Sequence, residues 1–111
     1  MIQIYICEDE KIQLEFWKRT IEEYIKSANI MAEIVSARQN PQDILNDIEQ
    51  CDNSQRLFFI DIQMPEYDMN GLELARKLRE KNSDDYLVFI TAKDDLAYKV
   101  FEYQLDVLDY I

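Results

Sequence analysis

The sequence predicts one α/β domain on a mainly parallel sheet, and three observations carry that expectation. Short apolar runs suited to strands alternate with segments of helical periodicity along the chain. One run, Leu57-Phe58-Phe59-Ile60, is apolar at four consecutive positions, the pattern of a central parallel strand buried on both faces. Several runs also end on residues with chemistry to offer: Glu8-Asp9 after the first, Asp61 after the third and Thr91 after the fourth. A length of 111 residues suits a single core and is too short for two.

Ile2-Gln3-Ile4-Tyr5-Ile6-Cys7 reads as the first strand, running into the carboxylates Glu8-Asp9-Glu10. Leu14, Trp17, Ile21, Tyr24 and Ala28 then recur at steps of three and four, the apolar face of a helix for which Asp9 is the expected N-cap. A second strand falls around Glu33-Ile34-Val35-Ser36-Ala37. Asn40-Pro41 supplies a cap and a first-turn proline for a short helix that turns Ile44, Leu45 and Ile48 inward and closes at Cys51-Asp52-Asn53-Ser54. The third strand delivers Asp61 at its C-terminal end. After Met64-Pro65 and an Asn70-Gly71 turn, Leu72, Leu74, Ala75 and Leu78 mark a third helix. Tyr86–Ile90 is the fourth strand. A helix bearing Leu96, Ala97, Val100 and Phe101 precedes a fifth strand over Val107–Ile111. No repeat, low-complexity tract or internal linker interrupts this order.

Bulk properties narrow the function. A net charge of −11 argues against this chain alone gripping a nucleic-acid backbone, a task that needs clustered positive charge. No apolar run approaches the roughly 20 residues of a membrane helix, and no basic, apolar and small-residue sequence of a secretion signal opens the chain. Cys7 and Cys51 form no CxxC pair and no histidine is present to complete a metal site, which fits a reducing cytoplasm.

In a parallel sheet, ligands bind beyond the carboxyl ends of the strands, where strand order reverses. Glu8, Asp9, Asp61 and Thr91 are expected at such ends. Carboxylates converging on one crevice repel, so they take up protons or hold a cation, and Mg²⁺ suits oxygen ligands supplemented by water and phosphate. Asp9 and Asp61 suit its inner shell, with Glu8 acting through water. A carboxylate such as Asp61 can also attack phosphorus, and a hydroxyl such as Thr91 would help align the group. Taken singly, each of these residues also reads as a helix cap or a strand-end residue.

At these positions the chain resembles the bacterial response-regulator receiver family. Ile4-Tyr5-Ile6-Cys7-Glu8-Asp9-Glu10 is similar to the family's first strand and acidic pair, and Phe58-Phe59-Ile60-Asp61-Ile62-Gln63-Met64-Pro65 to its phospho-acceptor strand. Asn70-Gly71-Leu72-Glu73-Leu74-Ala75 looks like the entry to its third helix, and Val88-Phe89-Ile90-Thr91-Ala92 like its fourth strand. The resemblance spans residues 1–111. It implies a doubly wound parallel five-stranded sheet of flavodoxin-like order 2-1-3-4-5, with the last helix missing.

Residue by residue, the resemblance makes Asp61 the phosphorylation site. Asp9, Asp61 and the Gln63 carbonyl become Mg²⁺ ligands supported by Glu8, Thr91 and Ala92 border the arriving phosphoryl group, and Tyr110 is the switch aromatic. The implied partners are a sensor histidine kinase and a second copy of the chain on activation. DNA would be reached only through a C-terminal domain absent here, and no membrane is involved. Ala97–Tyr103 with Leu108-Asp109-Tyr110 resembles the subgroup whose receivers precede a LytTR-type DNA-binding domain, as in virulence and quorum-sensing regulators.

Two departures stand out. The family's phosphate-side lysine and fifth helix would follow Tyr110, so the chain reads as an N-terminal fragment of a longer regulator, and Lys93 is a weak substitute for that lysine. The segment Glu66-Tyr67-Asp68-Met69 is slightly longer than the common form. Three competing readings remain. A haloacid-dehalogenase-like phosphatase would need an acid where Gln63 stands. A flavodoxin-like cofactor protein would need a phosphate-cradling loop where Glu8-Asp9-Glu10 stands. A receiver serving purely as an interaction module would never be phosphorylated.

Overall fold

In the computed structural model, residues 1–49, 55–81, 84–90 and 109–110 are described. The elements run β1 (Ile2–Cys7), α1 (Lys11–Ala28), β2 (Ala32–Arg38), α2 (Pro41–Ile48), β3 (Arg56–Ile60), α3 (Gly71–Lys81) and β4 (Tyr86–Phe89). All pairings are parallel, in the order β2-β1-β3-β4. A two-residue ladder, Asp109–Tyr110 against Val88 and Phe89, borders β4. The expected helix through Leu96–Phe101, and the close of the second helix at Cys51–Ser54, lie outside the described residues.

Alternation along β1 sorts the core into two layers. Ile4 and Ile6 face Leu14 of α1, joined by the partly buried Trp17, Ile21 and Ile25. Tyr5 and Cys7 face the other way, among Ile44, Leu45 and Ile48 of α2 and Leu72, Leu74, Ala75 and Leu78 of α3. Helices therefore cover both faces, and the chain is doubly wound. The Tyr5 and Phe58 rings stack with centroids 4.8 Å apart between neighbouring strands, an arrangement adding about 1 kcal/mol beyond area burial.

Three details of the sequence reading need correction. Tyr24 is exposed, as is Ala28, and Ile25 packs on the sheet instead. A helix turns about 100° per residue, which brings Ile25 closer than Tyr24 to the line through Leu14, Trp17 and Ile21. The N-cap of α1 is Glu10, without a side-chain capping bond, because Asp9 turns into the acidic crevice. Finally, β3 is not equally buried on its two faces: Phe58 and Ile60 are buried, while Leu57 and Phe59 on the α1 side are only partly so. By contrast, Asn40 accepts from the Gln42 N–H at 3.0 Å and Pro41 opens α2, as expected.

Periodicity also gave no hint of a buried ion pair at the opposite edge of the sheet from Asp61. Arg56 Nε donates to Asp85 Oδ1 at 3.1 Å, and both side chains are nearly inaccessible. Burial pushes the Asp85 carboxyl above its ordinary range despite the opposing pull of Arg56 and Arg79. The pair thus serves to fix β3 against the start of β4, and removing one partner strands the other's charge. Asp85→Ala is expected to lower unfolding free energy by about 3 kcal/mol in urea denaturation.

Candidate functional site

The register of β1 on β3 builds the site. Cys7 pairs with Ile60, and the Asp61 N–H donates to the Cys7 carbonyl at 2.9 Å, so both chains leave the sheet at one level. Strand order reverses between β1 and β3, since β1 connects outward to β2 while β3 leads the other way to β4. Glu8 and Asp9 therefore emerge beside Asp61. One oxygen from each of the three carboxylates lies within 4.8 Å of the others.

The crevice also includes Gln13 and Trp17 of α1 with Glu10, Gln63, Pro65 and Ile90, and none of these described lining residues is basic. Glu8 is 4% exposed, Asp61 5% and Asp9 9%. At an effective dielectric of about 20, two unit charges at this separation repel by about 3 kcal/mol. Three such pairs would cost about 10 kcal/mol, comparable with the whole stability of a domain. Crowding on this scale favours uptake of a counter-charge or a proton. Accordingly burial, aided by hydrogen bonding to Asp61 and Asp9, pushes Glu8 up to about 9. Burial also raises Asp9.

Backbone contacts hold the acids in place. Asp61 Oδ1 accepts from the Gln63 N–H at 3.1 Å, which sets the carboxylate's rotation and brings Gln63 to the rim. The Glu8 N–H donates to the Arg38 carbonyl at 3.1 Å. Beneath the cluster the Cys7 thiol lies 3.5 Å from Met64 Sδ, and burial with the nearby carboxylates drives its pKa strongly upward, so it is inert packing.

Gly71 matters in a way the sequence reading did not capture. Expected in the turn that leads into the third helix, it is the first residue of α3, whose cap is Asn70, with Oδ1 accepting from the Glu73 N–H at 2.9 Å. The Gly71 N–H donates to the Ile62 carbonyl at 2.8 Å, and a Cβ here would lie 2.1 Å from the Asp61 carbonyl oxygen. This is the only glycine in the sequence. Its solitary retention was the available signal, though composition could not say which backbone it approaches.

Of the other expected site residues, Thr91 and Ala92 lie outside the described residues, although the Ile90 N–H bond to the Ile60 carbonyl at 3.0 Å carries the chain to this edge. Tyr110 is placed only by its backbone pairing with Phe89.

The geometry by itself defines a doubly wound α/β domain with an acidic trio at the sheet's switch point, and comparison with known proteins supplies the family. The chain belongs to the response regulator receiver domain family, which it matches over residues 4–111. It is 31% identical over 110 residues to accessory gene regulator protein A of Staphylococcus epidermidis, covering 99% of this chain and 45% of that protein. The protein of the same name from Staphylococcus aureus is 32% identical over 112 residues, with the same coverage. This chain thus spans about half the length of these curated relatives. Among solved structures, the fold is similar to that of response regulator TrrA from Thermotoga maritima in complex with Mg²⁺ and BeF (TM-score 0.76, 24% identity, covering 100% of this chain and 85% of that one). It is similar too to a response regulator receiver domain protein from Clostridium thermocellum (TM-score 0.79, 18% identity, 100% and 81%). No described helix is long and apolar enough to cross a membrane.

Two outcomes follow from this geometry. Gly71→Ala forces the α3 start away from Asp61 and is expected to cost more than about 3 kcal/mol in chemical denaturation, well beyond the roughly 1 kcal/mol of an ordinary point substitution. In the absence of divalent ions, folded Glu8 keeps a proton that the unfolded chain has released above about pH 4.5. Stability is therefore expected to fall as pH rises from 5 towards 9, and Glu8→Gln should flatten that slope in thermal melts.

Proposed function

We propose that this domain accepts a phosphoryl group on Asp61 from the phosphohistidine of a sensor histidine kinase. The observation that carries this reading is the meeting of Glu8, Asp9 and Asp61 within 4.8 Å at the sheet's switch point. An Asp61 carboxylate oxygen bonds to phosphorus as the donor's phosphorus–nitrogen bond breaks, and the departing imidazole keeps the electron pair. The Gln63 N–H on Oδ1 fixes the direction of attack.

The donor set fits Mg²⁺: hard oxygen ligands, excess negative charge and no basic residue among the described ones lining the crevice. Asp9, Asp61 and the Gln63 carbonyl would hold the ion directly and Glu8 through water. Bound there, it supplies positive charge that offsets the carboxylates and the phosphoryl oxygens. The Mg²⁺–BeF complex of the structural neighbour TrrA supports the same choice.

In this reading Thr91 turns its hydroxyl to the phosphoryl group with Ala92 beside it, and Tyr110 responds as the switch residue. The ladder at Asp109–Tyr110 belongs to a fifth strand completing the order 2-1-3-4-5. Phosphorylation shifts a two-state equilibrium and promotes dimerisation in the cytoplasm. The similarity to accessory gene regulator protein A supports a transcriptional output, delivered through a LytTR-type DNA-binding domain outside this chain.

Incubation with Mg²⁺ and a small-molecule phosphodonor is expected to give an acid-stable, base-labile adduct of one phosphoryl group per chain, absent from Asp61→Asn. Labelling that persists in Asp61→Asn would remove the assignment. A chain that takes neither label nor fluoroberyllate would be an interaction module instead.

A further inference from the structure

The loop carrying Glu8 and Asp9 does little to hold itself. Glu10 makes no side-chain capping bond to α1, and the Glu10 N–H reaches Glu8 Oε2 at a long 3.4 Å. The restraint comes from the neighbouring β2–α2 junction, which grips two successive residues of it. The Arg38 carbonyl accepts from the Glu8 N–H at 3.1 Å, and the side-chain amide of Gln39 donates to the Asp9 carbonyl at 2.9 Å.

This junction is itself anchored. Asp47 of α2 accepts from Arg38 Nε at 2.9 Å, from a second Arg38 nitrogen at 3.1 Å, and from the Ser36 hydroxyl. Arg38 holds the Asp47 carboxyl below its usual range, so the anchor stays charged at neutral pH. Asn40, next to Gln39, caps α2. Gln39 therefore projects from a fixed platform. A neutral amide suits the task, since it donates a hydrogen bond without adding negative charge beside the acids.

We infer that Gln39 is a positioning residue for the acidic cluster: by tying the Asp9 backbone to the β2–α2 junction it fixes the Asp9 carboxylate for cation binding, an inference that rests on the Mg²⁺-dependent role proposed for Asp61. Gln39→Met keeps the side chain's length and removes its donor. Loss of one neutral hydrogen bond predicts a Mg²⁺ dissociation constant about fivefold weaker by calorimetric titration. The Mg²⁺ concentration giving half-maximal labelling of Asp61 should rise by the same factor, while the rate at saturating Mg²⁺ changes less than about twofold. Gln39→Glu, which adds repulsion as well, should bind Mg²⁺ more weakly still. A Gln39→Met protein with the wild-type Mg²⁺ constant would overturn the inference, and so would one that lost only thermal stability in the absence of the ion. Failure of the wild-type chain to bind Mg²⁺ or to be labelled would instead strike the proposed function.

Discussion

The parallel pairing of β1 with β3 is the constraint on which the rest depends. Because Cys7 lies level with Ile60, two acidic residues leave one strand beside a third leaving the other. A slip of β1 by one residue against β3 would turn Tyr5 and Cys7 away from the layer of Phe58 and Ile60, so the same burial that stabilises the sheet also enforces the meeting of the acids. Fold and site are one specification here. The hydrophobic side of the bargain is ordinary; the carboxylates are what the fold must tolerate.

That tolerance is visible around the cluster. Burial and the neighbouring acids favour the protonated form of Glu8, which relieves repulsion, and the loop is held by the Arg38 carbonyl and the Gln39 amide while Gly71 packs against the Asp61 backbone. On the proposed function, a cation and then a phosphoryl group would each change the charge balance of buried groups that have no basic partner among the described lining residues. The free energy of that change is available to move neighbouring elements, which is the general physical basis of a phosphorylation switch.

Much of this was legible in the chain itself. The apolar run before Asp61, the strand pattern before Glu8, and Asn40-Pro41 ahead of a short amphipathic helix each reflect local rules that the fold obeys. What the sequence did not disclose depends on long-range contacts. Tyr24 and Ile25 lie almost equally far from the line through Leu14, Trp17 and Ile21, so docking on the sheet decides which of them is covered. Arg56 carries no pattern that marks it for burial, and its partner Asp85 lies far along the chain. Gln39 carried no motif at all, since its role lies in which carbonyl its amide reaches. Asp9 was expected both as the cap of α1 and as a crevice carboxylate, and of these two uses the fold takes the second.

The central claim is that the three carboxylates share one divalent ion. Titration with Mn²⁺ followed by electron paramagnetic resonance tests it most directly. The geometry predicts one bound Mn²⁺ per chain, displaced by Mg²⁺ and lost when Asp9 and Asp61 are both changed to Asn. No saturable uptake at millimolar Mn²⁺, or uptake unaffected by those two changes, would contradict it.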